Sequence, residues 1–195
     1  MKRMILLVIA LTAALTSTAA ALQLQQQALS EKMIRLHVVA NSDSAEDQAV
    51  KLQVRDAVIE TTEQLSRGEL EAALPQIQSV AEECLRSLGS DESVAVSLRK
   101  ERFPTRVYET FALPAGVYTA LRVTIGEGEG QNWWCVAFPS ICFQAAAEDL
   151  RTVAAAAGFT EGEIALMTEE NLPYELKFKS LELMNELKQW FQKTF

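Results

Sequence analysis

Apolar and polar positions alternate with a period of two over several stretches of this chain and recur with a helical period over several others. Ile34, Leu36 and Val38 alternate with Arg35, His37 and Val39, which predicts a first strand ending near Ala40. Asn41-Ser42-Asp43-Ser44 then supplies four side chains suited to a turn and a helix start. Ser44 with Asp47 is a variant of the capping box, and Val50, Val54, Ala57 or Val58, Thr61 and Leu65 form the stripe of a helix running down to Gly68. Lys51, Arg55, Asp56, Glu60 and Glu63 fall mainly off that stripe and read as its solvated face. Pro75 breaks any continuation, so a turn over Glu69 to Ala73 leads into a second helix opening at Pro75. Its stripe of Ile77, Val80 or Ala81, Cys84 and Leu88 turns Cys84 inward, and Gly89 supplies the C-terminal cap.

The second half of the pattern is β-like. Val94, Val96 and Leu98 alternate with Ala95, Ser97 and Arg99, and Val107 to Ala112 reads as another strand after Phe103-Pro104. Leu113-Pro114-Ala115-Gly116 suits a type I turn and predicts a hairpin into a longer strand over Val117 to Ile125. Gly126-Glu127-Gly128-Glu129-Gly130 delivers the chain into Asn132 to Phe143, where Trp134, Val136 and Phe138 alternate with Trp133, Cys135 and Ala137 until Pro139 ends the pairing. The expected fold is therefore α+β: an antiparallel sheet of about five strands, with the first strand inserted, and two to three helices on one face in two layers. Burying both tryptophans would contribute on the order of 8–12 kcal/mol as an upper bound. Either both serve the core, or one stays exposed as a partner anchor.

The flanks divide the rest. Residues 22–33 read as a polar tether, 34–143 as the core domain, and 144–172 as an Ala/Glu-rich segment of doubtful order. Pro173 opens an expected amphipathic helix over 173–195, with Leu176, Leu183, Leu187 and Trp190 on one side, packed on the domain or turned to a partner or membrane surface. At the other end Lys2 and Arg3 precede an apolar run from Met4 to Leu15 and small residues to Ala21, the layout of a secretory signal. The run is short of the ~20 residues a membrane span needs. Cleavage after Ala21 is expected, an uncleaved anchor reaching Leu22 being the alternative.

The formal net charge is −8, and removing Lys2 and Arg3 with the signal makes it −10. No basic run offsets this, so neither nucleic acid nor an anionic membrane surface is a natural partner. With 49% hydrophobic residues the chain has the material for one sizeable core.

Candidate chemistry is sparse. The glycine-rich stretch Gly126 to Gly130 is not a phosphate cradle, because a strand and not a helix follows it and Glu127 and Glu129 would repel the anion. Those two carboxylates, with Asp43, are the only basis for a hydrolase reading. His37 is the sole histidine, which excludes multi-histidine metal sites and leaves one conceivable dyad, with Cys84. Cys135 and Cys142 are too far apart for a Cys-x-x-Cys redox motif and flank Pro139 at a chain reversal. They are expected to form a structural disulfide worth roughly 2.5 kcal/mol by loop entropy. No metal or cofactor is expected.

Taken together, Ile34 to Ser44, Lys51 to Val58, Phe103 to Tyr108, Leu113 to Gly116 and Asn132 to Phe143 resemble the stage II sporulation protein R family, with the motifs in order. The resemblance implies a signalling protein of endospore-forming bacteria, exported from the forespore into the space between the two membranes. It implies a role in triggering a membrane-embedded aspartic protease that processes the precursor of sigma factor E, by binding and not by catalysis. The candidate contact residues read from the sequence are Asn41, Ser42, Asp43, Glu127, Glu129, Trp133 and Trp134.

Overall fold

A computed structural model describes residues 21, 23–141 and 147–168. The expected signal segment up to residue 20, Cys142 and the expected helix over 173–195 lie outside the described residues. Six strands run in the order β1 (Ile34–Val39), β2 (Val94–Phe103), β3 (Arg106–Val107), β4 (Ala112–Leu113), β5 (Gly116–Ile125) and β6 (Asn132–Phe138). The helices are α1 (residues 23–32), α2 (Ala45–Glu63), α3 (Leu74–Ser87), α4 (Ala147–Ala156) and α5 (Glu161–Thr168). Among the described residues no helix is long and apolar enough to cross a membrane.

The fold is α+β, but its sheet is mixed, not antiparallel, and has four strands in the order β2-β5-β1-β6, with β3 and β4 forming a separate two-stranded ribbon. β1 pairs parallel with β5 and antiparallel with β6. This follows from burial: all six residues of β1 are buried, so it takes a central place with both faces covered. The expected meander fails for the same reason. β5 and β6 flank β1 and do not pair with each other, so residues 126–131 must bridge two strand spacings, about 10 Å, over the end of β1. The expected Val107–Ala112 strand is also cut in two, because Tyr108 N donates to Phe111 O at 2.8 Å and folds β3 back on β4.

Helices cover both faces of the sheet, not one. On the first face Leu36, Val38, Leu121 and Val123 meet Val54 and Val58 of α2 and Ile77, Ala81 and Leu85 of α3. Ser44 caps α2 as expected, accepting from Asp47 N at 3.0 Å. Lys51, expected on the solvated face, is instead 5% exposed and donates to Gln131 O at 3.0 Å. On the second face Phe103, Tyr118, Ala120 and Val136 meet Leu29 of α1 and Met33 just after it, Leu150 and Ala154 of α4, and Ile164 and Met167 of α5.

The tether expected over 22–33 is thus a docked helix from residue 23 to 32. Gln26, Leu29 and Met33 fall on one side at helical spacing, Gln26 donates to Ala115 O, and Lys32 pairs with Glu163 at 2.7 Å. The segment of doubtful order likewise contains two helices. Gly158, at φ +84, ends α4, and Thr160 and Glu163 form a reciprocal capping box that starts α5.

Candidate functional site

The register of the sheet decides which side chains meet. His37 lies beside Arg122 and Trp134, and Arg122 beside Ser97, so these four form one row across the second face. The next row holds Arg99, Ala120, Arg35 and Val136. A face that the alternation of β1 marks as polar thus becomes a charged cluster within the fold. His37 Nδ1 lies 2.7 Å from Glu101 Oε2, and Nε2 lies 2.6 Å from Asn132 Oδ1. Glu101 also accepts from Arg99 Nε at 2.7 Å and from Arg122 Nη1 at 3.1 Å. Burial opposes ionisation of Glu101, but the hydrogen bonds from His37 and Arg99 and the charges of His37 and Arg122 outweigh it, holding its carboxyl below the ordinary glutamate range.

Arg35 is fully buried beside this network. Its guanidinium lies 4.5 Å from the Phe103 ring centroid and 5.2 Å from that of Tyr118. Nε donates to Cys135 O and Nη2 to Tyr108 Oη, both at 2.9 Å, while Nη1 has no partner. Burial pushes the Tyr108 hydroxyl's pKa up, opposed by the Arg35 charge. That hydroxyl donates in turn to Trp134 O at 3.1 Å. Among the described residues neither Arg35 nor Arg106 has a carboxylate within ion-pair distance. The acidic chain therefore does carry a local basic cluster, assembled from β1, β2, β3 and β5 and so absent from any one stretch of sequence.

Both tryptophans are half-buried on the edge strand β6, one to each face. Trp133 packs toward α2 with the Arg55 guanidinium 4.8 Å from its ring centroid. Trp134 stacks on His37 at 5.6 Å and carries the Arg106 guanidinium at 3.8 Å. Neither of the two sequence alternatives holds alone: each ring serves the core with one part and lines the surface with another. Arg106, Val107 and Tyr108 on one side and Asn132, Trp133 and Trp134 on the other enclose a surface groove of ≈ 540 Å³. Val107 is 62% exposed, and Arg106 Nε is buried without a partner.

The other predicted contact residues form a second group. Asn41 Oδ1 accepts from Glu127 N at 3.0 Å, and the Asn41 and Ala40 carbonyls accept from Glu129 N and Gly130 N, each at 3.0 Å. Asn41 Nδ2 donates to Asp47 at 3.2 Å and to Glu92 at 3.0 Å, and Ser42 Oγ donates to Asp47 at 2.5 Å. The sequence does bring the turn and the glycine loop together, but as a clamp and not as an open flexible loop. Asp43, Glu127 and Glu129 are exposed on its outside.

The dyad of His37 with Cys84 does not form: Cys84 is a free, partly buried thiol in the helix layer of the first face, whereas His37 lies on the second. Cys135 is buried in β6, and its expected partner Cys142 lies outside the described residues. No cluster of metal-ligating side chains occurs among the described residues. Sequence reasoning missed Arg35, Arg99, Glu101, Arg106, Tyr108 and Arg122. Charged residues at alternate positions of otherwise apolar strands were the available signal.

Residues 30–148 match the family described as stage II sporulation protein R (spore_II_R). The chain is also 38% identical over 128 residues to the stage II sporulation protein R of Bacillus subtilis (strain 168), a match covering 61% of this chain. It spans 57% of the length of that relative. No solved structure matches the chain. The family match takes in β1, the Asn41 clamp, the arginine cluster and the tryptophan edge together, and on it the chain belongs to the stage II sporulation protein R family.

Proposed function

We propose that this chain is an exported sporulation signalling protein that activates a membrane-embedded aspartic protease by binding it, so that the precursor of sigma factor E is processed. Its place of action is the space between forespore and mother-cell membranes, reached through the signal segment at residues 1–21. Family membership supports the pathway. The observation that carries the binding reading is the pair of half-buried tryptophans on an edge strand, lining a groove beside arginines. Tryptophan and arginine are enriched among interface anchors.

The alternative of an extracytoplasmic hydrolase finds less support. Its carboxylates, Asp43, Glu127 and Glu129, lie exposed on the outside of the clamp, whereas glycoside hydrolysis needs two carboxyls facing each other across a cleft.

The test is co-expression of the chain with the membrane protease and its substrate. Trp134→Ala, shown folded by circular dichroism, should abolish precursor processing and Trp133→Ala should weaken it. Unchanged processing by both folded variants would overturn the reading. Export also implies that Cys135 pairs with Cys142. Denaturing alkylation of the exported protein should then label Cys84 alone.

A further inference from the structure

The groove beside Trp134 has a chemistry that the binding reading alone does not specify. The Arg106 guanidinium carbon lies over the Trp134 ring, 3.8 Å from its centroid, its Nε is buried without a partner, and no carboxylate among the described residues pairs with it. Behind the wall Arg35 is fully buried, likewise without an acidic partner, and leaves Nη1 unmatched. Arg35 donates to the hydroxyl of Tyr108, a residue that lines the groove. Glu101, the acid of this face, is already shared among His37, Arg99 and Arg122. Two guanidiniums therefore raise the potential of the groove, neither of them ion-paired among the described residues. A stacked guanidinium has its ring-facing surface covered and its planar fork left to receive two oxygens in one plane.

We propose that the Arg106–Tyr108–Trp134 groove binds an acidic side chain of a peptide segment, its carboxylate on the Arg106 fork and a neighbouring apolar side chain against exposed Val107. This deepens the binding reading above and rests on it, because it names what the contact face recognises. A peptide fits better than a lipid headgroup. Anionic membrane surfaces repel a chain of net charge −8, whereas a single carboxylate on a peptide meets only the local basic field, and the groove offers apolar surface next to the charge. The local field also supplies specificity, since an uncharged partner leaves both arginines uncompensated.

The experiment is an NMR titration of the full chain, following the Arg106 Nε–H and Trp134 indole signals. The probes are acetyl-Leu-Glu-Phe-amide, acetyl-Leu-Gln-Phe-amide, inorganic phosphate and phosphatidylglycerol vesicles. The Glu peptide should move both signals and bind about tenfold more tightly than the Gln peptide. Arg106→Gln should remove that preference, and Arg106→Lys, which keeps the charge but not the planar fork, should reduce it, so that either variant alone decides if the other fails to fold. Equal affinity for the two peptides, an unchanged preference in the folded variants, or stronger Arg106-dependent binding of phosphate or vesicles would overturn the proposal. If Trp134→Ala abolishes processing while the peptides bind equally, the contact face stands and its carboxylate specificity falls. If the Glu preference is present yet folded Trp134→Ala processes normally, the site stands and the activation reading falls.

Discussion

Glu101 is one carboxylate serving three cationic or polar partners in a largely buried place, with only 12% of its side chain exposed. Removing it leaves Arg99, Arg122 and His37 facing one another without compensation. Glu101→Gln should therefore cost about 3 kcal/mol at neutral pH, the usual consequence of removing one partner of a buried ionic group. The sign with pH follows from its depressed pKa. A carboxyl more acidic in the folded state than its ordinary value of 4.5 stabilises the fold above that pH and loses its contribution as pH falls through the folded value. Urea unfolding of wild type and variant from neutral pH to pH 3 should show the gap closing below about 4.5. A gap that stayed constant would mean that the charge on Glu101 does not hold this cluster. None of this was legible in the sequence. Glu101 lies 64 positions from His37, and only the strand register makes them neighbours.

Among the elements, the crossing loop between β5 and β6 carries the most topological demand. Gly126 sits at φ +55, and a Cβ at Gly130 would lie 2.2 Å from the Ser42 carbonyl oxygen and 2.9 Å from Ala40 Cβ. Backbone must move to admit it. Gly130→Ala should cost about 2 kcal/mol by denaturant unfolding, whereas Gly68→Ala, with nothing within 4 Å, should change stability by less than about 0.5 kcal/mol. Equal effects would show that the loop is not clamped. The sequence did announce each partner of this clamp: Asn41 to Ser44 as a turn, and Gly126 to Gly130 as a loop between two strands. Their meeting was hidden, because alternation marks a strand but not its neighbour, and the insertion of β1 between β5 and β6 is settled by tertiary packing. The helices α1, α4 and α5 failed to register for a different reason. The glutamine-rich α1 and alanine-rich α4 have high helix propensity but few large apolar residues, so their stripes are thin, and α5 is only eight residues long, although the Thr160–Glu163 capping box was readable.

At the scale of the whole molecule the charge is divided: an acidic surface overall, a basic cluster beside the tryptophan edge, and two glutamates on the loop leading into that edge. The loop is held by its backbone, through Glu127 N and Glu129 N, and not by its carboxylates, which are exposed. Replacing both with Gln therefore keeps the fold and changes only charge on the loop that leads into β6. Rim charges govern encounter rate more than the bound state. The double variant Glu127→Gln/Glu129→Gln should accordingly change precursor processing by no more than about threefold, with the difference shrinking at higher ionic strength. A catalytic carboxylate behaves otherwise, since its removal leaves binding intact and stops the reaction. If the variant kept full affinity for the protease and gave no processing at any salt concentration, activation by binding alone would be wrong, and chemistry at the loop would be the better account.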